Sequence, residues 1–169
     1  EEVVDIALEV SCIVGRGQGG EEVCFPLFEN IHRNHILDFT TVPARVPEPL
    51  AKAIQETALE AARTMKVTGL LTVEFFITRN QGRHGSLHRF EDYFFAVNEF
   101  APRPHNSGHV TRAATQVSQF DLLAQILTKR PLEEPRLSEE KRYCMGQLLG
   151  EVWLEQGDDN RLKTQSVDG

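Results

Sequence analysis

Two glutamates lie in apolar stretches where an ionised side chain is costly. Glu74 is the central residue of TVEFF, and Glu99 is followed directly by Phe100. A buried carboxylate without a partner carries a large desolvation penalty, so each position points to a bound cation. Two carboxylates that converge without a matching Lys or Arg suit a hard divalent ion such as Mg²⁺. From pattern alone, the alternative stays open that each glutamate faces solvent or pairs with a distant arginine.

The segment that follows Glu99 combines two prolines with several hydrogen-bond donors. Pro102 and Pro104 restrict the backbone, so the donors are presented in a fixed arrangement. These donors are Arg103, His105, Asn106 and Ser107. Such a cluster suits an anion, which Arg103 would bind by its planar fork while His105 either donates a hydrogen bond or moves a proton. A polar turn with locally satisfied side chains is the alternative.

His105 and His109 also form an H-x-x-x-H pair. A zinc site is disfavoured, because the glutamate of the H-E-x-x-H motif is absent and residues 106–108 are poor helix formers. We therefore assign the segment to anion binding rather than to a transition metal.

The elements that would position these residues follow from hydrophobic periodicity. Alternation over residues 6–14 predicts a strand, the glycines of 15–20 predict a turn, and residues 23–28 and 36–41 predict further strands. Helical spacing over 50–67 predicts a helix with a proline in its first turn. Residues 70–78 and 93–100 predict two adjacent strands, and the polar stretch 79–92 predicts a long exposed loop between them.

The last part of the chain gives weaker signals. Ser118 and Asp121 resemble a capping box and predict a helix over 118–127. Residues 143–149 fit either a strand or the end of a helix that begins at Ser138. Strands and helices that alternate along the chain predict an α+β fold.

Composition excludes several classes of protein. The 169 residues include 18 Lys and Arg against 25 Asp and Glu, a formal charge of -7, which argues against a nucleic-acid partner. The three cysteines are far apart in sequence and predict neither a disulfide framework nor a thiolate metal site, so a reducing cytoplasm fits. No apolar run approaches the roughly 20 residues that a membrane span needs.

Several motifs resemble those of a known enzyme family. The segment VNEFAPRPHNSGH at 97–109, followed by SQF at 118–120, is similar to the signature of the 5-(carboxyamino)imidazole ribonucleotide synthetases, which are ATP-grasp ligases. Further matches follow in the family's order over residues 1–157, namely EEVVDIALEVS, FPLFENIH, VTGLLTVEFF, KRPLEEPRL and MGQLLG. The resemblance implies an ATP-grasp C-terminal lobe at 1–130, an antiparallel sheet with packed helices, and the start of a small β-rich C-terminal domain and tail at 131–169.

The resemblance also implies roles for individual residues. Glu74 and Glu99 match the family's Mg²⁺ ligands, and Asn98 lies beside them at the phosphates of ATP. The adenine would lie along Glu1, Glu2, Val3 and Val4, with Glu9 at the ribose and His32 also at the nucleotide. Bicarbonate and the carboxyphosphate made from it would be held by the catalytic pair Arg103 and His105, with Asn106 and Ser107 lining the same site.

The implied reaction is attack of bicarbonate on the γ-phosphate of ATP, followed by transfer of the carboxyl group to the amine of aminoimidazole ribonucleotide in purine biosynthesis. The family resemblance adds the expectation of a cytoplasmic homodimer. The chain lacks an initiating Met and the family's amino-terminal domain, Gly-rich phosphate loop and basic carboxy-terminal segment. We therefore expect a fragment that does not turn over alone. A sibling ATP-grasp ligase and a non-catalytic ATP-grasp module for binding or dimerisation are the alternatives.

Overall fold

The fold is an antiparallel sheet covered by helices on both faces. A computed structural model describes residues 5–79 and 87–148, and in addition the backbone of two short strands at 154–156 and 162–164. Eight strands of the described residues form one sheet in the order β6-β7-β5-β1-β3-β4-β8, with β2 paired to β1. This arrangement confirms the predicted α+β class.

The strands of this sheet are β1 (Leu8–Arg16), β2 (Glu22–Cys24), β3 (Phe28–Arg33), β4 (Ile36–Val42), β5 (Gly69–Thr78), β6 (His88–Phe90), β7 (Tyr93–Ala101) and β8 (Tyr143–Gly146). A separate pair consists of β9 (Leu154–Gln156) and β10 (Leu162–Thr164). The helices are α1 (Glu48–Thr64), α2 (Thr111–Ala114) and α3 (Gln119–Leu127), with a 3₁₀ turn at Asn106–Val110.

Alternation along β1 and β5 divides the sheet into two faces. Val10, Cys12 and Val14 of β1 pack with the apolar side of α1. The residues between them face the other way, where Ile13 packs against α3. Since α3 covers only one end of this second face, the polar residues at its other end, including Glu9 and Glu74, remain open to a pocket. The site therefore lies on the face opposite α1.

Local sequence accounts for the two longer helices. Helix α1 has Pro47 as its N-cap residue and buries Leu50, Ile54, Ala58 and Ala62, which recur at helical spacing. Helix α3 begins after Ser118, whose hydroxyl accepts from the backbone N–H of Asp121 while the Asp121 carboxylate accepts from the Ser118 N–H. The capping box predicted from sequence is thus confirmed.

Three sequence predictions about secondary structure were wrong in detail. The predicted strand at 23–28 is interrupted at Pro26, which has no backbone N–H to give to a ladder, so β2 ends at Cys24 and β3 begins at Phe28. The predicted loop at 79–92 contains β6, which pairs with β7. Residues 106–108, expected to be poor helix formers, begin a 3₁₀ turn, which needs fewer residues than an α-helix.

The carboxy-terminal part of the sheet bears on the proposed division of the chain. Residues 143–146 form a strand, which settles the choice that the sequence left open, and this strand pairs with β4 in the large sheet. The boundary near residue 130 stays a prediction.

Among the described residues, no helix is long and apolar enough to cross a membrane.

Candidate functional site

The two glutamates singled out in the sequence are neighbours in the sheet. Glu74 of β5 lies directly opposite Glu99 of β7, and a register irregularity follows immediately between Glu74 and Phe75. This irregularity places Asn98 within reach of Glu74, and its Nδ2 donates to Glu74 Oε2 over 3.3 Å. A bulge of this kind redirects side chains locally and is common next to active sites.

The carboxylate of Glu74 is partly buried and lies close to a second carboxylate. Its pKa is raised above the ordinary value of 4.5, first by burial and then by the charge of Glu99. Among the described residues, no Lys or Arg forms a salt bridge with Glu74. Two adjacent carboxylates without a fixed counter-ion fit a divalent cation, which would relieve both the burial and the repulsion.

His105 is held beside this pair through both ring nitrogens. Its Nε2 lies 3.3 Å from Glu74 Oε1, and its Nδ1 lies 2.9 Å from the hydroxyl of Ser107. Burial, followed by the positive charge of Arg103, lowers the pKa of His105 below 6.5. The imidazole is therefore neutral near pH 7.

The main chain of His105 is fixed by a buried glutamine. Gln119, at the start of α3, is fully buried, and its Oε1 accepts from the His105 N–H over 2.9 Å while its Nε2 donates to the His105 carbonyl over 2.9 Å. Gly108 permits this approach, because a Cβ at that position would come within 2.4 Å of Gln119 Oε1 and of Ile13 Cδ1. The glycine in HNSGH and the glutamine in SQF thus belong to one packing unit.

A second acidic group lies further along the same face. Glu9 of β1 and His32 of β3 approach each other, with Glu9 Oε2 located 2.6 Å from His32 Nδ1. Glu9 also lies opposite Asn30 of β3 and Phe76 of β5 in the sheet. The pair lines the same pocket as Glu74 and His105.

One pocket of about 680 Å³ collects most of the predicted residues. Its polar lining comprises Glu9, His32, His35, Glu74, Asn98, Glu99, Arg103, His105 and Asn106. Its apolar lining comprises Ile6, Ile36, Leu37 and Phe76. The pocket therefore combines a carboxylate pair, an anion-binding segment and an apolar wall.

Among the described residues, one predicted site residue, Ser107, is not in this lining. Ser107 is fully buried behind His105, where its hydroxyl lies 2.9 Å from that of Ser11. Residues 1–4, predicted to lie along an adenine, fall outside the described residues. His109 is exposed and stacks on Phe120 with ring centroids 5.8 Å apart.

The buried polar residues that support the site were not predicted from the sequence. Ser11, Asn30 and Gln119 were not singled out, although all of them lie inside motifs used for the resemblance. The available signal was alternation, since Ser11 shares a strand face with Glu9. Within the described residues, no cluster of three or more His, Cys, Asp or Glu is arranged to hold a metal ion. A cation at Glu74 and Glu99 would thus need further oxygen ligands from water or substrate.

Comparison with known proteins gives a consistent answer. The ATP-grasp domain model matches residues 1–120. The N5-carboxyaminoimidazole ribonucleotide synthase of Bacillus subtilis is 38% identical over 164 residues, which cover 96% of this chain and 40% of that protein. A bifunctional purine synthesis protein of Dictyostelium discoideum is 40% identical over 132 residues, covering 78% of this chain and 12% of that protein. The chain therefore spans well under half the length of these relatives.

Solved structures agree with the sequence matches. The N5-carboxyaminoimidazole synthetase of Staphylococcus aureus complexed with ADP superposes with a TM-score of 0.73 at 38% identity, covering 89% of this chain and 37% of that chain. The enzyme from Aspergillus clavatus in complex with ADP and 5-aminoimidazole ribonucleotide gives a TM-score of 0.73 at 26% identity, covering 86% and 36%. With its sheet, its paired carboxylates and these matches, the chain belongs to the ATP-grasp family.

Proposed function

We propose that this chain is the magnesium- and nucleotide-binding part of an ATP-dependent 5-(carboxyamino)imidazole ribonucleotide synthase. The observation that carries the proposal is the single pocket in which the carboxylate pair, the APRPHN segment and an apolar wall meet. The relatives named for this reaction at 38–42% identity support the choice of reaction within the ATP-grasp family.

Each part of the pocket has a chemical counterpart in MgATP. Glu74 and Glu99 would hold Mg²⁺, which supplies charge neutralisation at the phosphates when bound. The apolar wall of Ile6, Ile36 and Phe76 suits the flat face of a purine, and Glu9 is placed to accept hydrogen bonds from ribose hydroxyls. The sheet would thus align the nucleotide from base to phosphates along its open face.

The second substrate would lie at the proline-stiffened segment. Arg103 is exposed in the pocket, with its guanidinium engaged only with the neighbouring Pro104 carbonyl at 3.0 Å among the contacts described, so its other N–H groups are available to bicarbonate. His105 would contact the same anion. A bicarbonate oxygen attacks the γ-phosphorus and ADP leaves; the amine of aminoimidazole ribonucleotide then attacks the carboxyl carbon, and phosphate leaves. These residues would act by positioning and by stabilising charge.

Calorimetric titration of the chain with MgATP tests the proposal. The Glu74→Gln/Glu99→Gln double variant should bind MgATP about 100-fold more weakly, because its amides replace both charged ligands. Glu60→Gln is the matched control, since Glu60 is an exposed carboxylate of α1 on the other side of the sheet. Unchanged binding in the double variant would contradict the proposal.

The same preparation separates the alternatives. Bicarbonate should bind to the MgATP-loaded chain in a further titration. Binding of MgATP without bicarbonate would favour a sibling ligase that uses another acid. A folded, self-associating chain that binds no MgATP would favour a non-catalytic module.

A further inference from the structure

A buried chain of hydrogen bonds runs from the middle of the sheet to His105. Thr40 Oγ1 lies 3.3 Å from Asn30 Oδ1, and Asn30 Nδ2 lies 2.9 Å from Ser11 Oγ. Ser11 Oγ lies 2.9 Å from Ser107 Oγ, which lies 2.9 Å from His105 Nδ1. Thr40, Asn30, Ser11 and Ser107 are all buried, so water does not compete for these groups.

A chain of hydroxyl and amide groups can run in two directions. In one direction Asn30 donates to Ser11, Ser11 to Ser107 and Ser107 to His105, so that Nδ1 is an acceptor. In the other direction Asn30 still donates to Ser11, but His105 donates to Ser107 and Ser107 to Ser11, so that Nδ1 carries the proton. The hydroxyls alone do not decide between the two, because each can donate or accept.

The two nitrogens of His105 decide the direction. The backbone N–H of Ser107, which can only donate, points to His105 Nδ1 over 3.4 Å, so Nδ1 must offer a lone pair. On the other side of the ring, Nε2 lies 3.3 Å from Glu74 Oε1, an oxygen to which an N–H can donate. The reverse direction would set two N–H groups against each other and a lone pair against the carboxylate.

We propose that Ser11 and Asn30 are positioning residues that hold neutral His105 in the tautomer with its proton on Nε2. His105 then presents a hydrogen-bond donor to the pocket and has no free lone pair there. Its one N–H would donate to an oxygen of Glu74 in the ligand-free chain or to an oxygen of a bound anion, and the ring would not act as a base. The identification of that anion as bicarbonate rests on the proposed function; the tautomer does not.

This assignment separates two roles that the sequence left open for His105. A base would need an unprotonated nitrogen facing the pocket, but Nδ1 is the unprotonated nitrogen and it faces buried Ser107. Ser11 lies opposite Glu74 in the sheet but does not line the pocket, and its hydroxyl reaches the imidazole of His105 through Ser107. Substitution of Ser11 should therefore change the ring of His105 without removing a pocket side chain.

The proposal is tested by determining the tautomer of His105 by NMR in the uniformly ¹⁵N-labelled chain. Two-bond proton–nitrogen correlations of the imidazole report the tautomer, and they are recorded at about pH 8, well above the ordinary histidine pKa. The proposal predicts a pyridine-type shift for Nδ1 and a pyrrole-type shift for Nε2. Exposed His35 supplies the internal reference for a ring that exchanges between tautomers.

Variants then test the role of Ser11. In Ser11→Ala, the His105 nitrogen shifts should move toward the averaged values of His35, and Ser11→Thr should restore them because it keeps the hydroxyl. Thr72→Val is the matched control: Thr72 lies opposite Ile13 on the neighbouring strand, is fully buried, and its hydroxyl has no hydrogen-bond partner among the residues that the structure describes. Thr72→Val should leave the His105 shifts unchanged.

The outcomes distinguish this inference from the proposed function. A proton on Nδ1 in the wild-type chain would overturn the inference even if MgATP binds. A pyridine-type Nδ1 and a pyrrole-type Nε2 of His105 in a chain that does not bind MgATP would support the inference and contradict the proposed function. If Ser11→Ala does not fold, the wild-type spectrum alone decides the direction of the hydrogen-bond chain. Unchanged His105 shifts in folded Ser11→Ala would overturn the role of Ser11.

Discussion

Glu29 and Glu74 belong to the same sheet but have different neighbours: Glu29 pairs with an arginine, and Glu74 faces another glutamate. The side chain of Glu29 in β3 is only 2% exposed and forms a salt bridge with Arg45. The Nε of Arg45 lies 3.0 Å from both carboxylate oxygens, and its backbone N–H donates to Glu29 Oε2 over 2.9 Å. Glu74 of β5 has a side chain 15% exposed and faces Glu99.

The protonation equilibria of the two residues differ accordingly. Hydrogen bonds from Arg45 lower the pKa of Glu29 below 4.5, whereas burial and Glu99 raise the pKa of Glu74 above it. A carboxylate whose charge is already matched contributes to the fold. A carboxylate whose charge is left unmatched is available to a ligand, at a cost to the ligand-free fold.

The largest expected effect concerns MgATP affinity. Glu74→Gln alone should weaken MgATP binding by about 10- to 100-fold, since a cation ligand loses its charge. Glu29→Gln should leave the affinity within about twofold if the variant is folded, because Glu29 lies on the face of α1. Calorimetry on both variants measures the contrast, and equal losses would remove the distinction between the two residues.

Stability should respond in the reverse order. Glu29→Gln should lower the free energy of unfolding by about 2 kcal/mol, because a buried charge-assisted hydrogen-bond pair is broken. Glu74→Gln should raise it by about 1 kcal/mol in the absence of Mg²⁺, because an unmatched buried charge is removed. Urea unfolding without nucleotide measures both values. A destabilised Glu74→Gln chain would show that this carboxylate is structural.

The pH dependence of stability should separate the residues further. The lowered pKa of Glu29 means that its contribution is present above pH 4.5 and is lost as the pH falls through its folded-state value. The raised pKa of Glu74 means that its contribution is present below pH 4.5 and is lost as the pH rises through its folded-state value.

Unfolding curves over a pH series should therefore behave differently in the two variants. The wild-type advantage over Glu29→Gln should shrink below pH 4.5, and the advantage of Glu74→Gln over wild type should shrink as the pH falls toward 4.5. Differences that do not vary with pH would contradict the assigned pKa directions.

The sequence predicted that Glu74 lies in the middle of a strand, because residues 70–78 are rich in β-branched and aromatic residues. It did not predict that Glu29 is paired, because Arg45 follows in a loop 16 positions later and its approach depends on tertiary packing. The buried polar chain through Ser11 and Asn30 was missed for the same reason, since its links join β1, β3 and the 3₁₀ turn.

The carboxylate pair illustrates the same limit on a smaller scale. Periodicity placed Glu74 and Glu99 on neighbouring strands, but their direct opposition depends on the length and pairing of the connection that contains β6. The register irregularity after Glu74, which brings in Asn98, has no signal in composition or alternation. The sequence therefore predicted the strands that carry the two glutamates, whereas the contacts between the side chains depend on the fold.

The most direct test of the central claim uses Mn²⁺ as a paramagnetic substitute for Mg²⁺, added with a non-hydrolysable ATP analogue to the ¹⁵N-labelled chain. We expect the amide resonances of Glu74, Asn98 and Glu99 to broaden strongly and those of Glu29 and Arg45 to broaden far less. Broadening centred on Glu29, or none near Glu74 and Glu99, would contradict the central claim.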